Sequence, residues 1–469
     1  VPGPKTWQLT AGAAAVGLAL SAGAVALAGP WDSGQRTAER VRAASREAGG
    51  GADHQRGTDP DAPAPAPSAP GVLAALGVPG GAPVPASLPA ALAPLLGDPA
   101  LGAHPAASVV DTATGQELYA SRPDAAMTPA STVKIATAAA ALTAFPADHR
   151  FATAVVAPEQ GGALTLVGGG DPTLDTARLT ALADGTARAL RARALDHVQL
   201  AYDASLFTGP AVHPIGPNEN LAPVVALMTD EGRLGPAGAS DGGPADRTAD
   251  PAGDTARAFA RLLRDRGVRV DDPVAGDRPA GAKELASTLS APLPDVVERM
   301  LTNSDNDIAE ALNRQTAIAS GRPASFDGGA AAVADRLGKL QLPLAGSVFT
   351  DGSGLNRADK VTAGLLTRLL ARAADPARPE LRPILTGLPV AGFTGTLSAR
   401  YGSSSAATGL VRAKTGTLGG AGVNTLAGTV VDAGGHLLAF AFLSAGAPGA
   451  DPAPAQRALD RLATRLTAH

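Results

Sequence analysis

The chain contains no cysteine, which removes disulfides, thiolate metal centres and cysteine nucleophiles together while leaving an oxidising compartment tolerable. Aromatic residues make up only 3% of it against 56 Gly and 40 Pro, so burial has to rest on Ala, Val and Leu. Lysine is scarce as well. Lys5, Lys134, Lys283, Lys339, Lys360 and Lys414 are the whole set, and arginine carries the other positive charge. No Lys/Arg-rich block stands out and the net charge is −4, so no nucleic-acid partner is expected. The histidines are scattered without an H-E-x-x-H motif, and no G-x-S-x-G elbow occurs, so neither a zinc peptidase nor a Ser-His-Asp hydrolase is indicated.

What is present begins with an uncharged run. Residues 9–29, "LTAGAAAVGLALSAGAVALAG", follow Lys5 and have the length of a bilayer span, so residues 1–30 are expected to be a signal peptide or a membrane anchor. Arg36, Arg40, Arg42 and Arg46 follow this run, the opposite of what positive-inside predicts for an exported body, so orientation has to come from the chemistry. Residues 31–71 are rich in Gly, Asp and alternating Ala-Pro, the composition of an extended tether.

The body from 72 onward mixes strand and helix signals. "ASVVD" (107–111) and "QELYA" (116–120) predict a hairpin, and "NTLAGTVVD" with "HLLAFAFLS" around Gly434-Gly435 predicts a second. Thr128 and Pro129 suit the N-cap and first position of a helix running from Ser131 to Leu142. Residues 152–285 alternate short apolar runs with Gly/Asp/Pro breaks and read as an inserted mixed α/β region. Periodic helical stretches flank Ser304-Asp305-Asn306, and a last amphipathic helix spans 454–467.

Three short motifs then carry the chemistry: Ser131-Thr-Val-Lys134, Ser304-Asp305-Asn306 and Lys414-Thr415-Gly416-Thr417. Each has an ordinary reading, as a solvated helix lysine, a helix cap and a strand end. Together they make a reactive group. A serine and a lysine three positions apart share one helix face, so the amine reaches the hydroxyl. The hydroxyl becomes a nucleophile only when a base takes its proton, and a lysine is that base only when burial or a nearby cation lowers its pKa. Lys414 is the expected cation, and the free N–H groups at the helix start suit an oxyanion.

In this order the motifs resemble the penicillin-binding D-alanyl-D-alanine peptidases, and most closely the low-molecular-mass class C carboxypeptidase/endopeptidase family. The 173 positions between Ser131 and Ser304 fit the large insertion of that branch, and "GGGDPTL" (168–174) and "DGSGLNR" (351–357) look like its recurring sequences. The resemblance covers roughly 72–469. It implies an α/β (α+β) transpeptidase-like domain, an antiparallel sheet flanked by helices, discontinuous over 72–151 and 286–469 and interrupted at 152–285.

The resemblance also assigns roles. Ser131 is the nucleophile, Lys134 its base, Ser304 a proton relay, Asn306 a substrate-amide ligand and Lys414 an electrostatic group. Thr415, Gly416 and Thr417 bind the terminal carboxylate, Arg357 contacts the peptide side chain, and the N–H groups of Ser131 and Thr417 form the oxyanion hole. No metal or cofactor is implied. The expected partners are peptidoglycan stem peptides, with β-lactams as covalent inhibitors and the membrane through 9–29 if that segment is kept; the expected place is extracytoplasmic.

Two stretches complicate this. "HPIGPNEN" (213–220), with Glu219 its one acid, replaces the aromatic and acidic residues that relatives often present, which leaves the side-chain preference open. "GGGDPTL" reads more simply as a structural turn in which Asp171 bonds its own backbone. The alternatives are a serine β-lactamase and a catalytically silent wall-binding or penicillin-sensing protein on the same scaffold. A class A β-lactamase needs a deacylating Glu-x-x-Asn; the match Glu310-Ala-Leu-Asn313 sits on a helix and is expected to be solvated or capping.

Overall fold

The computed structural model describes residues 88–235, 243–402, 404–446 and 448–468; the segments read as signal or anchor (1–30) and as tether (31–71) lie outside these. Short α1 (Leu88–Leu96) leads into the hairpin β1 (Ala106–Asp111) and β2 (Glu117–Ser121). Helix α2 (Lys134–Ala144) then precedes the region inserted between it and the next helices.

That region is a second sheet with two covering helices: β3 (Ala152–Ala157), β4 (Ala163–Gly168), α3 (Thr176–Ala192), β5 (His197–Asp203), α4 (Pro251–Arg264), β6 (Arg269–Val270), β7 (Val274–Ala275) and β8 (Lys283–Leu289). The sheet runs β6-β5-β4-β3-β8, with β7 also on β5. It is mixed: β4 runs parallel to β5, while β3 is antiparallel to β4 and β8. Asp175 and Asp250 start α3 and α4 by accepting the N–H groups of Arg178 and Gly253, which places both helices against the sheet's apolar face.

The chain returns through α5 (Leu293–Asn303), α6 (Asn306–Ala319), α7 (Phe326–Lys339), α8 (Ala363–Ala374) and α9 (Arg382–Thr386). It closes with β9 (Val411–Leu418), β10 (Val423–Val431), β11 (Leu437–Ala445) and α10 (Ala453–Leu466). The first sheet is fully antiparallel in the order β2-β1-β11-β10-β9, so β9 is an edge.

Period-two alternation explains how one sheet serves two cores. On β11, Ala439, Ala441 and Leu443 join the cluster under α2, α5 and α8, while Leu438, Phe440 and Phe442 join the one under α1 and α10. Small side chains on the α8 face let that helix approach, and the few aromatics are spent on the other face. Helix α2 is buried from Lys134 to Leu142, which an alanine-rich sequence permits because no large side chain has to find room. Among the described residues no helix is long and apolar enough to cross a membrane.

Candidate active site

Ser131 lies on a short 3-10 turn, Ala130–Val133, that leads into α2. The expected Thr128 cap does not form. Its hydroxyl donates to the Arg357 carbonyl at 3.3 Å and accepts from Lys360 Nζ at 2.6 Å, and Pro129 stands at the cap position without a side-chain bond. The turn is held instead by the Pro129 carbonyl, which accepts from the hydroxyls of Thr132 at 2.7 Å and Thr425 on β10 at 2.8 Å. Ala130 pays with a positive φ of 48°, a left-handed conformation that a Cβ disfavours by about 1 kcal/mol.

Lys134 is fully buried, and its Nζ is 2.9 Å from Ser131 Oγ, 2.7 Å from Asn306 Oδ1 and 2.7 Å from the Ser353 carbonyl. An ammonium there spends all three protons on these oxygens; a neutral amine keeps two and turns its lone pair to Ser131. Burial lowers its pKa to about 8, against the pull of Asp351, Glu310, Asp305 and Asp307 in the other direction. Burial thus leads, where the sequence pointed to Lys414. Lys414 is itself fully buried on β9, donates to the Thr415 carbonyl at 2.8 Å, and is held well below the ordinary lysine range by burial and by the charge of Lys134.

Ser304 and Asn306 belong to a tight junction between two helices. Ser304 ends α5 in the left-handed conformation, φ 59°, and Asp305 starts α6 by accepting the Ile308 N–H at 3.0 Å. Asn306 donates from Nδ2 to the Asn220 carbonyl at 2.9 Å, which leaves one amide N–H for another acceptor.

The third motif is set by strand register. Ala413 donates its N–H to Pro389 and Val411 accepts from Ala391, both outward from β10. Alternation then turns the N–H groups of Thr415 and Thr417 to the same free edge. Gly416 lies on the opposite pleat, where a Cβ would run into Thr425 Oγ1 and come within 2.7 Å of the Pro129 carbonyl. Only glycine lets β9 come this close to the turn that carries Ser131. Thr415 donates to Thr396 Oγ1 at 2.8 Å, and Thr417 accepts from Gln456 at 3.3 Å.

Ser131, Asn220, Ser304, Asn306, Thr396 and Thr417 share the lining of one cleft of about 220 Å³. Leu418 lines it too. A larger cleft of about 940 Å³, lined by Asp111, Arg368, Arg372 and His436 among others, holds none of the residues of the three motifs.

The model of the D-Ala-D-Ala carboxypeptidase 3 (S13) family matches residues 88–246 and 231–466. The chain belongs to that family. It is 38% identical over 429 residues to a carboxypeptidase of Mycobacterium tuberculosis, covering 86% of this chain and 89% of that one. It is 32% identical over 453 residues to the D-alanyl-D-alanine carboxypeptidase of an Actinomadura species, covering 79% and 83%. Among solved structures, penicillin binding protein 4 of Haemophilus influenzae superposes with a TM-score of 0.67 at 25% identity, over 78% of this chain and 97% of that one. The chain is therefore a serine-type D-Ala-D-Ala carboxypeptidase with the mixed α/β fold of that group.

Other residues singled out in the sequence of the carboxypeptidase stand apart from the cleft. Arg357 is exposed and outside the cleft lining; its carbonyl serves Thr128 and Lys360, and its guanidinium lies beside Gly420. Glu219 is exposed and outside the lining, whereas its neighbour Asn220 is in it. Glu310 is neither solvated nor a cap: it is fully buried and accepts the N–H groups of Gly352 and Ser353. A helix position next to polar neighbours reads as surface until the loop that covers it is known. "GGGDPTL" is a structural turn in which Asp171 accepts from Thr173 and pairs with Arg178 at 2.8 Å.

The sequence reading missed Ser353, whose carbonyl holds Lys134, and Thr425, whose hydroxyl holds Pro129. It also missed Arg247 and Asp307, an ion pair at 3.0 Å with both side chains buried, beside the Ser304–Asn306 junction. The "DGSGLNR" stretch signalled Ser353; nothing local signalled the others.

Proposed function

We propose that Ser131 is the nucleophile and Lys134 its general base in hydrolysis of the terminal D-Ala-D-Ala bond of peptidoglycan stem peptides. The supporting observation is the 2.9 Å contact between the Ser131 hydroxyl and a fully buried lysine whose other two partners are fixed oxygens. Neutral Lys134 takes the Ser131 proton as Oγ adds to the carbonyl carbon of the penultimate D-Ala. The oxyanion is received by the N–H groups of Ser131 and Thr417. As the C–N bond breaks, the proton passes to the departing amine through Lys134 and Ser304, and D-Ala leaves. Water then attacks the ester, returning its proton by the same route and releasing the shortened peptide.

Asn306 supplies its spare amide N–H to the substrate backbone. Lys414, with the hydroxyls of Thr415 and Thr417, favours the free carboxylate of the terminal residue, and Gly416 keeps β9 close enough for both roles. Penicillins acylate the same serine because their strained amide presents a carbonyl in the place of the scissile one. This reading puts the enzyme outside the cytoplasm, where stem peptides are, with residues 9–29 as signal or anchor and 31–71 as tether. Cross-linked peptides are a second substrate class, the amine then leaving as a diaminopimelate side chain.

A β-lactamase role draws no support from Glu310, whose carboxylate is engaged by backbone N–H groups instead of holding a water at Ser131. Labelled penicillin followed by digestion tests the reading. A Ser131-containing peptide carrying the adduct is expected, and a Ser131→Ala variant that still labels would remove Ser131 from the role. D-Ala release from a pentapeptide, set against scission of a cross-linked dimer, separates carboxypeptidase from endopeptidase action and both from a silent scaffold.

A further inference from the structure

Three stretches singled out in the sequence, and used in no step above, meet in one buried cluster behind Lys134. "HPIGPNEN" supplies His213, Glu-x-x-Asn supplies Glu310 and "DGSGLNR" supplies Asp351, all with at most 3% of their surface exposed. His213 Nε2 and Asp351 Oδ2 are 2.9 Å apart. Asp351 also accepts the N–H groups of Gly354 at 2.6 Å and Asn356 at 2.7 Å. Glu310 accepts the N–H of Ser353 at 2.8 Å and that of Gly352 at 3.1 Å. The carboxylate oxygens are thus taken by protein donors, the pattern of a hydrogen-bonded cluster and not of a cation cage.

Ser353 is the link to the chemistry. Its N–H is held by Glu310 and its carbonyl accepts from Lys134 at 2.7 Å, while Thr137 on α2 fixes the neighbouring Gly352 carbonyl at 2.7 Å. Asn306 and Glu310 stand four residues apart on α6, so one helix face touches Lys134 twice, directly and through Ser353. We propose that Glu310 is a positioning residue for acylation: through Ser353 it fixes the oxygen that holds Lys134 beside Ser131, and it brings a carboxyl group up behind that lysine.

Other charges face the same groups. Lys134 is approached by Asp305 and Asp307 from the start of α6, by Asp351 from the loop after α7, and by Lys414 from β9. Glu310 is approached by Asp351, by His213 from the inserted region and, one turn along α6, by Arg314. Burial first, and then Asp351, push Glu310 up to about 7, so it changes charge in the range where Lys134 does. His213 opposes that push, which gives the inserted region a handle on the base.

The inference rests on the Ser131–Lys134 reading, and one experiment separates the two. The second-order rate of acylation by a fluorescent penicillin is measured from about pH 6 to about pH 10 on the full chain. The variants are Glu310→Gln, Glu310→Asp and His213→Gln, with circular dichroism to check folding. Removing a negative charge near an ammonium lowers its pKa. Glu310→Gln is therefore expected to move the acid limb down by on the order of one pH unit and to lower the plateau severalfold. Glu310→Asp keeps the limb and lowers the plateau, and His213→Gln moves the limb in the same direction by less.

A folded Glu310→Gln with a lowered plateau and an unmoved limb overturns the charge role. If that variant does not fold, an unmoved limb in His213→Gln overturns it. Wild-type protein that fails to label at Ser131 would instead remove the underlying reading.

Discussion

Lys134 shows how far a single side chain can be read from its surroundings. Its pKa is lowered to about 8 because burial penalises the ammonium more than four nearby carboxylates favour it. In the proposed role of base it has to be neutral, so acylation should be slow below pH 7 and rise with a midpoint near pH 8. Burst kinetics with a chromogenic cephalosporin across that range checks it; a flat profile would dismiss Lys134 as the base.

Gly416 makes a second residue-scale prediction. A Cβ there meets the Pro129 carbonyl at 2.7 Å and the Thr425 hydroxyl, so Gly416→Ala should push β9 off the Ser131 turn. Acylation should fall by roughly a hundredfold, because small displacements at a reacting centre are costly. The melting temperature should drop less than for a substitution in the main core.

Asp359 gives a third. Burial and the nearby Asp351 push it up to about 9, while an unfolded Asp releases its proton near 4. The native state holds that proton, so its contribution to stability is full below about pH 4 and is lost as pH rises toward 9. Asp359→Asn, whose carbonyl still accepts from Thr350 N–H, should raise the melting temperature relative to wild type, by more at pH 9 than at pH 5.

At the scale of elements, the clearest features in the sequence were those with strong local signals. Gly434-Gly435 between two apolar runs became the turn between β10 and β11, and the periodicity around Ser304-Asp305-Asn306 became α5 and α6, with Asp305 as cap. Asp305→Ala should cost about 1 kcal/mol from the lost cap, read by urea denaturation, and should slow acylation beyond that loss because the same turn orients Ser304 and Asn306.

The Thr128 cap predicted before the Ser131 helix does not form, for a physical reason. Thr128 has the chemistry of a cap, but the Arg357 carbonyl and Lys360 ammonium, more than 200 residues away, compete for its hydroxyl. Anchoring of the Pro129 carbonyl by Thr425 then takes the cap's place. Local propensity has no access to partners at that separation.

At the scale of the molecule, the inserted region is joined to the Ser304–Asn306 junction. Asn220 accepts from Asn306, Arg247 pairs with Asp307, and Glu231 takes Arg299 from α5. Arg247→Met leaves Asp307 buried without its ion pair; burial already pushes Asp307 up to about 7, so the loss of stability in urea denaturation should be small near neutral pH and grow toward about 3 kcal/mol at higher pH. It should also slow acylation, and Asp307→Asn in the same chain should restore part of the loss, since the buried charge is then gone.

The sequence by itself determined the reaction class. The motifs that hold Ser131 and Lys134, Ser304 and Asn306, and Lys414 are legible because each is confined to three or four consecutive residues, a spacing that survives whatever the rest of the chain does. Only the tertiary structure decided how Lys134 is tuned. The partners that fix Lys134, namely Ser353, and behind it Glu310, Asp351 and His213, come from separate stretches, and burial, which sets the lysine's proton affinity, is a property of the packed whole. Glu310 looked like a surface residue because a helix face becomes inside or outside only when other elements cover it.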